Sequence, residues 1–159
     1  MKNNISIRNL FIYLVLFLST YYLGLTFISA SLDKIVDPHE FSKSITAYEI
    51  SPYSINNFVA LVLPWIELIC GILLFVSFFF FFKNKNNFID IPNNMIIIML
   101  IWFIFILAIA SIRGLEIDCG CGLSENKTLP IDRLKEDIYL LIISFVIKFR
   151  AYIFNFLHR

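Results

Sequence analysis

Residues 58–82 read FVALVLPWIELICGILLFVSFFFFF and contain a single charged side chain, Glu67. A helix needs about 20 predominantly apolar residues to cross a bilayer, so this segment is long enough to span one. Similar apolar segments recur before and after it. The sequence therefore predicts an all-α membrane protein, a bundle of four transmembrane helices at about residues 10–31, 57–82, 94–112 and 134–154.

Composition supports this class. The chain has 159 residues, of which 59% are hydrophobic and 16% charged. Soluble domains carry about 25% charged residues, and a soluble core of this size could not bury so much apolar surface. We therefore interpret residues 1–159 as one integral membrane domain in contact with the lipid bilayer. The net charge of +1 argues against nucleic-acid binding, which would need a concentrated basic face.

The first and last predicted spans are the least regular. The first follows a short basic leader, and its apolar run exceeds the about 7–15 residues of a signal peptide, so we expect it to be retained. The last is interrupted by Lys148 and Arg150. Long cationic side chains near a helix end can extend to the membrane surface, so a fourth crossing remains reasonable.

Orientation rests on a small difference in charge. With both termini in the cytoplasm, seven Lys and Arg residues lie inside and six outside, which barely separates the two orientations. The basic leader favours a multi-pass protein of the inner (plasma) membrane with both termini cytoplasmic. Loops 32–54 and 113–133 then lie on the extracytoplasmic face.

The first of these loops contains signals for a short amphipathic helix. Asp37 is a predicted N-cap, followed by Pro38 at the first helical position and Glu40 at the capping-box position. Phe41, Ile45 and Tyr48 then fall on one helical face. Two placements remain open: across the outer mouth of the bundle, or on the lipid headgroups.

The second loop contains the sequence RGLEIDCGCG at residues 113–122. Cys119 and Cys121 would close only a very small disulfide ring, and strained disulfides tend to be the exchangeable ones. Redox activity is therefore favoured over an inert disulfide or a metal site, for which two thiolates supply only half the ligands. Asp118 disfavours a thiolate and Arg113 favours one, so reactivity is not settled.

Glu67 is the candidate functional group inside the membrane. A carboxyl at this depth should face the bundle interior, either for function or for a structural hydrogen bond between helices. Lys34 and Arg113 are candidate partners for it, since each follows the end of a predicted span. Cys70 lies one turn beyond Glu67 and either supports the chemistry or serves as a small packing residue.

Three motifs together resemble the MauE/DoxX family, and most closely its methylamine-utilisation MauE branch. They are Leu32-Asp33-Lys34-Ile35-Val36-Asp37-Pro38 with Phe41 and Tyr48, Leu63-Pro64-Trp65-Ile66-Glu67-Leu68 with Gly71, and Arg113-Gly114 with Asp118-Cys119-Gly120-Cys121-Gly122.

The resemblance implies a four-helix membrane protein associated with extracytoplasmic thiol redox chemistry. The MauE branch is linked to maturation of the disulfide-rich small subunit of methylamine dehydrogenase, alongside a thioredoxin-like partner. By this resemblance Cys119 and Cys121 match the paired cysteines of the family, Glu67 its intramembrane acid and Lys34 its loop lysine. The chain departs from the pattern at Gly122, which follows Cys121 directly where a Phe often intervenes, and in its short, charged fourth span.

The sequence thus predicts a membrane thiol–disulfide redox protein, a candidate oxidoreductase with Cys119, Cys121 and Glu67 as its central residues. Cys119 and Cys121 would exchange electrons with a thioredoxin-like extracytoplasmic protein or with a membrane quinone, the one candidate cofactor. We assign no metal. The alternative function is a non-catalytic membrane anchor or assembly subunit of a redox enzyme complex.

Overall fold

The computed structural model of the chain describes residues 7–48, 52–81, 89–113 and 130–150. The regular structure in these ranges is helical throughout. Five helices follow one another along the chain: α1 (Ile7–Val36), α2 (Pro38–Ala47), α3 (Tyr53–Phe81), α4 (Asp90–Ile112) and α5 (Pro130–Lys148).

Three of the described helices are long and apolar enough to cross a membrane. Their candidate spans are Ile12–Val36 in α1, Ser54–Ser77 in α3 and Asp90–Ile112 in α4. The shortest has 23 residues, which at about 1.5 Å per residue is sufficient for a hydrocarbon layer of about 30 Å. The structure therefore shows an all-helical chain with three helices long and apolar enough to cross a membrane, in the regions of the first three predicted spans. Helix α3 begins at Tyr53, before residue 57.

The outer surface of these helices is apolar. Helix α3 exposes a stripe at helical spacing and α4 does the same, with exposed fractions between 45% and 65%: Phe58, Leu61, Trp65, Ile69, Ile72, Ile98, Ile101, Trp102 and Phe105. A contiguous apolar surface of this size is not compatible with water and is the expected face towards lipid.

Helix α5 is not among the three candidate spans. Five of its first eight residues are charged, and the apolar part starts only at Ile138. The residues of the predicted fourth span beyond 150 lie outside the described part of the chain. A fourth crossing therefore stays a prediction.

The helices associate as two closely packed pairs, α1 with α3 and α4 with α5. Helices α1 and α3 approach most closely at Gly24 and Gly71. A Cβ added at Gly71 would lie 3.1 Å from the Gly24 carbonyl oxygen and 3.0 Å from Ile28 Cγ1. Small residues at a crossing let two membrane helices pack backbone to backbone. The contacts between α3 and α4 are much less extensive.

The short helix α2 lies against the start of α3. Its N-cap is Asp37, whose Oδ1 accepts a hydrogen bond of 2.9 Å from the Glu40 backbone N–H, as the sequence predicts. On its inner side Ser42 donates to Asn57 Oδ1, and Asn56 Nδ2 donates to Thr46 Oγ1 over 3.1 Å. These hydrogen bonds fix α2 at one end of the bundle, called here the α2 end.

The opposite end is joined by polar contacts between α4 and α5. Arg150 donates to both carboxylate oxygens of Asp90. One turn further into the bundle, the fully buried Asn93 donates through Nδ2 to the Ser144 carbonyl over 3.0 Å. Arg150, read from sequence as a charge that breaks the fourth span, is thus neutralised by a partner on α4.

The Gly24–Gly71 crossing yields a test of the packing. Gly71→Leu should lower the free energy of unfolding by about 1–3 kcal/mol or more, because the new side chain must displace the backbone of α1. The matched control is Ile72→Leu, since Ile72 is 45% exposed on the adjacent lipid-facing side. Unfolding in a denaturing-detergent titration measures both, and equal midpoints would show that the crossing is looser than described.

Candidate functional site

A buried ion pair joins the end of α1 to the middle of α3. Lys34 Nζ lies 2.8 Å from Glu67 Oε1 and 2.7 Å from Oε2, so the ammonium donates to both carboxylate oxygens. The side chains are 7% and 2% exposed. Charged groups are rarely buried to this extent unless they are paired, and here each neutralises the other.

Two aromatic rings surround the ammonium group. Nζ lies 5.1 Å from the centroid of the Phe41 ring and 5.4 Å from that of Phe103. Phe41 is on α2 and Phe103 on α4, so the ion pair between α1 and α3 also contacts these two helices. A cation within about 6 Å of an aromatic face is attracted by the ring quadrupole, which adds to the stabilisation by Glu67.

A cavity of about 440 Å³ adjoins this pair. Its walls come from all five helices and are mostly aromatic and aliphatic, with Phe27 from α1, Phe41 from α2 and Tyr48 directly after it, Leu63 from α3 and Phe103 from α4. The predicted apolar face of α2 (Phe41, Ile45 and Tyr48) is part of the wall. Ligand sites in proteins are typically of about this size and are lined in this way.

Helix α5 adds three charged residues to the cavity: Arg133, Glu136 and Asp137. Asp137 is half-buried and lies in the charged first turns of α5, outside the three candidate spans. Burial raises the pKa of Asp137 to about 7; Lys34 opposes the rise and Glu136 adds to it. Near neutral pH this carboxyl is therefore able to exchange a proton.

The structure pairs Lys34 with Glu67 and places the other two described candidates, Arg113 and Cys70, away from this pair. Lys34 is the partner of Glu67, whereas Arg113 is exposed at the end of α4. Cys70 is 5% exposed and packs in the core with Leu23, Phe27 and Leu74. It does not line the cavity.

Cys119, Cys121 and Asp118 lie outside the described residues. The segment that contains them joins Arg113, at the end of α4, to Pro130, at the start of α5. Both of these helix ends are at the α2 end, because the cavity is lined by the last turns of α1, the first turns of α3 and α5, and the C-terminal half of α4. In the described ranges, no group of three His, Cys, Asp or Glu side chains could hold a metal ion.

Sequence reasoning missed the contribution of α5. Arg133, Glu136, Asp137 and Leu140 recur at spacings of three and four, so they share one helical face, and that face lines the cavity. The spacing is present in the sequence, but it does not show that this face is the one that turns inward. Which face of α5 turns inward depends on its packing against α4.

These features define a helical membrane protein with a buried ion pair and an adjoining cavity at one end of its bundle. The family model described as methylamine utilisation protein MauE matches residues 12–150, and the chain belongs to the MauE family. No curated protein and no solved structure matches the chain.

The buried pair predicts a specific pattern of stabilities. Lys34→Met leaves the Glu67 carboxylate buried without a counterion and should lower the free energy of unfolding by about 3–5 kcal/mol. The double variant Lys34→Met/Glu67→Gln removes both charges and should recover most of that loss. The measurement is a denaturing-detergent titration of each purified variant.

The control for this cycle is the exposed pair Lys43–Glu40, whose side chains are 60% and 59% exposed. The neighbouring Glu40 carboxylate raises the pKa of Lys43, yet Lys43→Met should change stability little, because water screens the pair. If Lys34→Met is as harmless as Lys43→Met, the two buried charges are not paired as described.

Proposed function

We propose that this protein is a membrane thiol–disulfide redox protein of MauE type that supports the maturation of extracytoplasmic proteins. Cys119 and Cys121 would exchange electrons with a thioredoxin-like partner. The observation that supports this most is the position of the helix ends that flank the cysteine segment. Arg113 and Pro130 lie at the same end of the bundle as the Lys34–Glu67 pair and the cavity.

The chemistry proposed for the cysteines is thiol–disulfide exchange. A thiolate attacks a disulfide sulfur and forms a mixed disulfide, which the second cysteine then resolves. Two cysteines separated by one glycine close almost no chain between them, so a purely structural bridge would contribute little. The family description concerns methylamine utilisation, and an enzyme of that pathway with many disulfides is the kind of substrate that such exchange would serve.

The proposed topology places the α2 end on the extracytoplasmic face of the inner membrane, with both termini in the cytoplasm. The fourth crossing would be formed by the apolar part of α5, from Ile138, together with residues after it. Paired thiols in that compartment are readily oxidised, which suits a redox function.

The Lys34–Glu67 pair has a positioning role in this proposal. It fixes the end of α1 against α3 and, through Phe41 and Phe103, fixes α2 and α4 as well. The helix that ends at Arg113 is thereby held in place next to the cavity. A non-catalytic anchor would have the same bundle but would not depend on the thiols, and the experiments below separate the two functions.

Topology is tested by a membrane-impermeant maleimide applied to intact cells after reduction. We expect labelling of Cys119 or Cys121 and none of Cys70, which is 5% exposed within the bundle. A Cys119→Ser/Cys121→Ser variant is the control and should remain unlabelled. Labelling that requires opening of the membrane would place the cysteine segment in the cytoplasm and invert the proposed orientation.

Redox exchange is tested by trapping. One of the single variants Cys119→Ser and Cys121→Ser, the one that lacks the resolving cysteine, should accumulate a covalent complex with a partner protein, because the mixed disulfide is no longer resolved. The complex should disappear under reductant on a non-reducing gel. Cys70→Ser is the matched control and should trap nothing.

The double variant Cys119→Ser/Cys121→Ser separates exchange from anchoring. A redox protein should lose its function in cells when both thiols are absent. Full function of this variant would replace the redox assignment with the anchor function.

A further inference from the structure

The cavity beside the Lys34–Glu67 pair has features that point to a ligand from the membrane. Two side chains that line it, Ile55 on α3 and Trp102 on α4, are also 52% and 58% exposed at the apolar outer surface. They belong to two helices that contact each other much less than α1 contacts α3 or α4 contacts α5. The cavity wall between α3 and α4 therefore reaches the lipid-facing surface, and a lipophilic molecule could enter there without crossing water.

The charges in the cavity favour a neutral ligand. Lys34 is neutralised by Glu67, and α5 adds one cation, Arg133, and two acids, Glu136 and Asp137. A fatty acid or phosphate would add a negative charge to a cavity whose acidic side chains already equal or outnumber its cationic side chains. A neutral ligand with hydrogen-bond acceptors meets no such repulsion.

The polar groups suit a carbonyl acceptor on an aromatic ring. The Lys34 ammonium has three N–H groups, of which Glu67 accepts two. A third N–H remains for a ligand beside the rings of Phe41 and Phe103, and flat rings pack well against such side chains. The cavity of about 440 Å³ accommodates one substituted ring with the start of a tail.

We propose that this cavity binds a membrane quinone, with the ring beside Phe41 and Phe103, one carbonyl at Lys34 and the tail leaving between α3 and α4. The choice of a redox-active ligand rests on the proposed function. Two thiols and a quinone then give one disulfide and one hydroquinone: two S–H bonds break, an S–S bond forms, and two electrons and two protons pass to the quinone oxygens. Asp137, whose pKa lies near 7, is a suitable proton carrier at the cavity.

The two tryptophans of the chain allow binding to be read directly. Trp102 lines the cavity, whereas Trp65 is 54% exposed on the lipid-facing side of α3 and is not part of the wall. A Trp65→Phe variant leaves Trp102 as the only tryptophan, which is excited selectively over the tyrosines. In nanodiscs of full-length protein, titration with decylubiquinone should quench Trp102 saturably at one quinone per protein, above the linear quenching caused by partition into the bilayer.

Matched variants locate the site. Val59→Phe/Leu63→Phe adds bulk to two residues of the cavity wall, one helical turn apart. Val62→Phe/Ile66→Phe makes the same additions at the same spacing on the outer side of α3, where each residue is 37% exposed. The first pair should weaken saturable binding at least tenfold and the second should leave it unchanged.

All titrations are made in a Cys119→Ser/Cys121→Ser background, so that binding is measured without thiol chemistry. Saturable quenching that only the inner pair of variants abolishes supports the quinone site even if partner trapping fails. Purely linear quenching, or equal effects of the two variant pairs, overturns it. Displacement of the quinone by an equimolar amount of oleate also overturns it, because the cavity would then be a site for acyl chains.

Discussion

The ion pair between Lys34 and Glu67 is the constraint on which the rest of the structure depends. An isolated charge at this burial costs several kcal/mol, so neither residue is tolerated without the other.

From the Gly24–Gly71 crossing, Lys34 lies ten residues along α1 towards the α2 end, and Glu67 lies four residues along α3 in the same direction. The remaining offset of about 9 Å at 1.5 Å per residue is bridged because helical side chains lean towards the N-terminus of their own helix. In two antiparallel helices these side chains lean towards each other. The crossing and the pair therefore fix both the rotation and the register of α1 against α3.

The same pair determines where the cavity can form. Because the ammonium is held between Phe41 and Phe103, α2 and α4 must both approach the end of α1. Helix α4 is packed firmly against α5 and only loosely against α3. The aromatic side chains of α2 and α4 thus contact the pair, and the cavity lies beside it with walls from all five helices. Arg133 and Asp137 line the cavity from α5, which packs closely against α4.

Much of this arrangement could be predicted from sequence, and the exceptions have physical causes. Apolar length identified α1, α3 and α4, and Asp37 identified the start of α2, because these signals are local. Glu67 was expected to face inward, and Lys34 was one of two partners considered for it; the structure pairs them. Helix α3 starts at Tyr53, before the span predicted from about residue 57, since hydropathy marks the apolar layer and not the helix end. The inward face of α5 could not be predicted, because its rotation is set by α4. The roles of Cys119 and Cys121 stay predictions, since those residues lie outside the described part of the chain.

Stability alone does not account for a charged pair at this position. Well-packed apolar side chains of similar volume are often as stabilising as a buried ion pair, or more so. The bundle also has a close helix crossing at Gly24 and Gly71 and a hydrogen-bonded α2, so the ion pair is not the sole contact that holds α1, α2 and α3 together. Apolar residues could not supply an ammonium whose third N–H is available beside the aromatic cavity. A carboxylate that accepts two of the three N–H groups holds that ammonium in a fixed orientation. The pair therefore fixes α1 against α3 and, in the proposed quinone site, also supplies a preorganised hydrogen-bond donor that Glu67 positions.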